Sequence, residues 1–154
     1  MIVPLTTQTC PGFARRLKTL AVDATPRFGS LDPPRLMAHL QRAFDISTGA
    51  YEAPFVGNRL TKTALMKWFV IDAPLPWPKG RIKAPDSFTP PAATGDYDSE
   101  RRRLIETMQR FAAEADARPD DPGGQSPLLG ALSMRRWAKL HGRHLEHHLQ
   151  QFRV

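Results

Sequence analysis

Residues 133–152 read SMRRWAKLHGRHLEHHLQQF, and the way this stretch winds decides both the fold class and the chemistry. It contains no proline, and it follows a serine suited to capping a helix, Ser133. Wound at about 100° per residue, it puts Trp137, Leu145 and Phe152 on one side. Arg135, Arg136, Lys139, Arg143, Glu146 and Gln150 fall on the other. Four of the five histidines of the chain lie here, and the helix sends them to different places. His144 and His148, four residues apart, occupy the middle of the apolar side, and His141 sits next to them. His147 falls at the margin, and Gln151 lies just past His148 on the inner face.

Other segments carry the same period. A first helix is expected over residues 12–22, with Phe13, Leu17 and Leu20 inward. LDPPRLMAHLQRAFDIS (31–47) has Asp32 as cap and prolines in its first turn, so a helix is expected to Ser47, stopping at Gly49. Its inner arc includes His39 near the edge. LTKTALMKWFVI (60–71) reads as a further helix, apolar nearly all round at its end and therefore well buried. A helix over 99–117, capped by Asp96 or Asp98, carries the stripe Leu104, Ile105, Met108, Phe111 and Ala115. Residues 72–97 are too rich in proline for regular helix. They read as an ordered strap pinned by Trp77, or as a disordered linker. No strand alternation or repeat stands out, so the expected fold is all-α: a four-helix bundle with one accessory helix and a Pro-rich strap.

The length of 154 residues suits a single domain over 1–154. No apolar run approaches the roughly 20 residues of a membrane span, and MIVPLTTQTCPGF lacks a basic segment followed by an apolar one. A single cysteine, Cys10, excludes an internal disulfide framework. A cytoplasmic protein with no membrane partner is expected. The net charge of +7 admits nucleic acid or another anion as partner, yet the basic residues are scattered over outer helix faces.

Two imidazoles one turn apart can share a metal ion. A third, His39, reaches them if its helix packs beside the last one. Buried imidazoles need partners for a donor and an acceptor each, so the alternative is a hydrogen-bonded polar patch in the core. No general base stands out on the inner faces, so catalytic residues stay unassigned.

LGALSMRRWAKLHGRHLEHHLQQF (129–152) closely resembles the C-terminal end of the DinB-like (YfiT-like) metal-dependent superfamily. It is similar to an uncharacterised branch ending in Leu-(Ser/Thr)-x-x-x-Trp-x-x-Leu-x-x-x-His-x-(Asp/Glu)-His-His-Leu-x-Gln-Phe. RLMAHLQRAFDIST (35–48) resembles that branch's first histidine helix, and PLPWPKGRIKAPDSF (74–88) resembles its strap. Glu146 stands where Asp is commoner, and LLGAL replaces a Phe-Gly-x-Leu sequence. The resemblance implies a divalent metal (zinc, nickel or iron) held by His39, His144 and His148. His147 and Gln151 also match that pattern and take supporting positions beside the ligands, while His141 reads as a simple buried histidine or as a residue lining the pocket. The resemblance also implies a metal-dependent, thiol-linked transferase or hydrolase acting on a small-molecule substrate. The competing expectations are a basic module for nucleic acid or another anion, suggested by Arg135, Arg136, Lys139 and Arg143, and a non-catalytic bundle that forms a homodimer.

Overall fold

The computed structural model describes residues 2–79, 86–88, 90–92 and 95–154. Short polar side chains set where most helices begin. Helix α1 (Cys10–Thr19) has proline in its first turn. Asp32 accepts a 2.8 Å hydrogen bond from the Arg35 amide at the start of α2 (Pro33–Ser47). Thr63 accepts one from the Met66 amide ahead of α3 (Ala64–Ile71). Asp96 accepts from the Ser99 amide ahead of α4 (Tyr97–Ala117). Each cap replaces a partner that the first helical turn lacks, worth about 1 kcal/mol. Ser133 holds the cap position of α5 (Met134–Phe152), but its side chain makes no cap hydrogen bond. After α2, Gly49 turns the chain at φ +77°, a conformation glycine adopts without strain. A 3-10 turn covers Asp86–Phe88, and no sheet forms among the described residues.

Helix α2 packs on α4 and α5, α1 packs on the same two helices, and α4 and α5 pack on each other. Leu17, Leu36, Phe44, Met108, Phe111, Trp137 and Leu149 meet in the core between them. Burial of each such side chain contributes about 1.5–3 kcal/mol, which is why the apolar stripes fix how the helices face. The stripe expected on α4 is buried throughout. Helix α1 starts and ends earlier than expected. Leu20 leaves the helix in extended conformation to bury its side chain, and Val22 stands in solvent.

The expectation of a well-buried helix over residues 60–71 is overturned. Asn58 accepts from the amides of Leu60 and Thr61, holding those residues in a turn, so the helix starts only at Ala64. Helix α3 packs on α5 alone among the α-helices. Of its residues only Ile71 is buried, while Leu65, Trp68 and Phe69 are 73%, 50% and 53% exposed. A short helix that is apolar all round buries only the side that meets a neighbour. No helix among the described residues is long and apolar enough to cross a membrane.

The N-terminal segment closes over α5. The Leu5 amide donates to the Ala138 carbonyl at 2.9 Å, and Leu5 is fully buried. Gly142 makes this approach possible, because a Cβ there would lie 1.9 Å from the Val3 carbonyl oxygen. In an open helix Gly→Ala stabilises by about 1 kcal/mol. Gly142→Ala is expected to reverse that sign and destabilise by about 1–3 kcal/mol through the clash, as read by urea melts. A stabilised variant would show that the segment does not lie there.

Candidate metal centre

The contact between α2 and α5 brings His39 to His144 and His148. The Nε2 atom of His144 lies 2.8 Å from Nε2 of His39 and 3.0 Å from Nε2 of His148. One ligand atom from each ring lies within 4.8 Å of the other two. The ring of His39 crosses those of His144 and His148 at 89° and 75°, so the nitrogen edges converge instead of the faces stacking. His39 and His148 are buried, whereas His144 is half-buried.

The far side of two rings fixes their hydrogens. His39 Nδ1 lies 2.6 Å from the Phe88 carbonyl oxygen, and His148 Nδ1 lies 2.8 Å from Gln151 Oε1. A carbonyl oxygen only accepts, so Nδ1 carries the hydrogen in both rings and each Nε2 points a lone pair inward. A neutral His144 has one ring hydrogen. Even placed on Nε2, that single proton has to serve two nitrogen contacts. A cation between the rings would accept all three lone pairs. Zinc–imidazole bonds of about 2.0–2.1 Å in tetrahedral geometry separate ligand nitrogens by about 3.4 Å. Moving the His144 ring outward while His39 and His148 draw together would seat such an ion.

The electrostatics match this donor set. Burial, above all, holds the pKa values of His39, His144 and His148 below the ordinary 6.5, and that of His148 falls to about 3. Repulsion among the rings adds to the effect at His144 and His148. The group includes no carboxylate, so near neutral pH it is three neutral bases, the form that binds metal.

The remaining histidines do not join this point. His141 is buried in an aromatic cage, stacked on Phe44 at 4.0 Å and Trp137 at 5.4 Å, with Phe111 edge-on. His147 is half-buried against Phe28 at 5.2 Å and Trp77 at 5.8 Å. Glu146 faces outward in an ion pair with Arg16. Gln151 is buried and touches His148.

Among the described residues, the Pro-rich segment reaches the site at Trp77 and at Phe88. The Trp77 indole N–H donates to the Val70 carbonyl at 3.1 Å, and its ring lies 6.0 Å from that of His144. Arg143 holds the carbonyls of Ala73 and Leu75. Further along, Phe88 supplies the carbonyl that orients His39. The parts of the expected strap at residues 80–85, 89, 93 and 94 lie outside the described residues. Sequence reasoning missed both Phe88 and Phe28, since neither side chain is a ligand type. Their positions beside the histidine helices could be found only after folding.

The family model described as "Protein of unknown function (DUF1569)" matches residues 5–154, and the chain belongs to that family. No curated protein and no solved structure matches the sequence.

Proposed function

We propose that this member of the DUF1569 family is a single-domain, DinB-like four-helix bundle that binds one divalent cation through His39, His144 and His148. In this reading α3 is the accessory helix. One observation carries it: three Nε2 atoms converge with too few hydrogens to satisfy one another. Neutral imidazoles suit zinc, nickel or iron. Three protein ligands leave a coordination position open, as reactive sites do, whereas structural zinc sites close all four. His144 is the least buried of the three ligands, which puts the open position on its side of the site. When bound, such an ion supplies Lewis acidity that lowers the pKa of a water or thiol at the open position. His39 and His148 hold fixed directions through their Nδ1 hydrogen bonds, and Trp77 shields one side from solvent. A metal-dependent transferase or hydrolase, with a thiol among its reactants, fits this chemistry. The lone cysteine, buried as a free thiol, fits a cytoplasmic setting.

Elemental analysis of untagged protein tests the reading. One equivalent of metal is expected in the wild type and almost none in His39→Ala, His144→Ala or His148→Ala. The same trace content in all four proteins would remove it.

A second reading, a homodimer, is favoured by one observation. Leu65, Trp68 and Phe69 form an exposed apolar face on α3, with Leu60 beside it. Light scattering should then give twice the chain mass, returning to one chain in Trp68→Glu. A wild-type monomer at all concentrations would exclude it. The nucleic-acid alternative draws less support. Arg135 pairs with Asp120, Lys139 with Asp72, and Arg143 holds backbone carbonyls, which leaves Arg136 of the four basic residues on that face without such an engagement among the described residues.

A further inference from the structure

We infer that the Arg27–Gly29 loop, between α1 and α2, is a positioning element for the histidine site. It acts by holding the Gln151 amide in the one orientation that makes His148 a metal ligand through Nε2. The inference rests on the proposed metal site for its affinity arm, while its hydrogen-bond arm stands without any metal.

Gln151 Nε2 donates to the Phe28 carbonyl at 2.5 Å, and Gln151 Oε1 faces His148 Nδ1 at 2.8 Å. Exchanging the amide's oxygen and nitrogen would set the Gln151 oxygen against the Phe28 oxygen, two acceptors at hydrogen-bond distance. The Phe28 carbonyl therefore selects the amide orientation, and the amide in turn places the hydrogen of His148 on Nδ1. An imidazole side chain in water favours the opposite tautomer, with hydrogen on Nε2, which would block coordination through that atom. The loop thus reverses an intrinsic preference.

The loop is itself held against this end of α5. The Arg27 amide donates to the Gln151 carbonyl at 2.8 Å. Gly29 adopts φ +75°, and a Cβ there would come 2.7 Å from Gln151 Nε2. That amide is the free end of a flexible side chain, so an added methyl would push it aside while leaving the helices in place. Gly29 is therefore the point at which the loop bears directly on the site. Gly49 provides a matched control: its φ is +77°, but a Cβ there would meet nothing within 4 Å.

Two measurements on the full chain test the inference. Nitrogen-15 NMR of chelator-treated wild type is expected to show His148 with a protonated Nδ1 and an unprotonated Nε2. In Gln151→Leu that signature should shift towards the Nε2–H form. Zinc affinity, measured by competition with a chelating dye, is expected to fall about 10–100-fold in Gln151→Leu and Gly29→Ala, the usual effect of losing a group that orients a ligand. Gly49→Ala carries similar backbone strain and should bind as wild type does. A wild-type His148 protonated on Nε2 overturns the inference, as does wild-type affinity in both Gln151→Leu and Gly29→Ala. Should the wild type bind neither zinc nor nickel nor iron, the metal reading fails, and the NMR signature still decides the role of the loop. If Gln151→Leu fails to fold, the wild-type spectrum and the contrast between Gly29→Ala and Gly49→Ala decide it.

Discussion

Saturating zinc is expected to raise the melting temperature of the chelated wild type by about 5–10 °C, and replacing any one of His39, His144 or His148 with Ala should erase that rise. The size follows from linkage. A ligand at about a hundred times its Kd adds about 2.7 kcal/mol to the folded state, and for a chain of this size 1 kcal/mol moves the midpoint by about 2–4 °C. The metal-free variants sharpen the contrast. His144 Nε2 lies within 3.0 Å of two other ring nitrogens. Removing one ring relieves that crowding and offsets part of the packing lost, so the chelated variants should melt close to the chelated wild type. A polar patch that works only by hydrogen bonding behaves differently. Zinc would then leave the wild type unchanged, and each substitution would destabilise it with or without metal. Differential scanning calorimetry with zinc and with chelator separates the two.

Acid should destabilise the protein through His141, which lies outside the triad. Its burial among Phe44, Phe111 and Trp137 lowers its pKa from the ordinary 6.5 to about 3. Its buried Nε2 also has no hydrogen-bond partner among the described residues. The unfolded chain therefore takes up this proton at a higher pH than the folded one. The stability tied to neutral His141 is full above about pH 6.5, declines as pH falls, and is gone by about pH 3. Between about pH 6.5 and pH 4 the loss comes to about 3 kcal/mol. His141→Leu removes both the proton site and the unpaired nitrogen. It should match the wild type to within about 1 kcal/mol at pH 7 and exceed it by about 3 kcal/mol at pH 4. Urea melts of chelated protein at the two pH values measure this, and parallel pH profiles for the two proteins would refute it. His148, also lowered to about 3, adds to the acid sensitivity of both.

Much of the architecture could be read from local chemistry. Asp32 and Gly49 mark helix ends where they were expected, and Asp96, one of two caps the sequence offered, starts α4 two residues early, because caps and stops act through atoms a few residues away. The spacing of His144 and His148 put them on one side of a helix, and the inward face of α2 carried His39. Helix α3 was misjudged because burial is not local. Its apolar residues say what water would exclude, and only the placement of neighbours says what gets covered.

The histidines divide in the same way. On a helical wheel His141 and His148 fall side by side on the inner face, so periodicity treats them alike. Position along α5 separates them. His148 comes opposite His39, while His141 lies about two turns earlier, between Phe44 and Trp137. The sequence by itself determined the inner faces of α1, α2, α4 and α5 and which imidazoles they carry, because period and capping are properties of neighbouring residues. The tertiary structure alone decided which nitrogens face inward. That choice is made by the Phe88 carbonyl and, through Gln151, by the Phe28 carbonyl. Every residue carries a backbone carbonyl, so no letter of the sequence marks the two that matter.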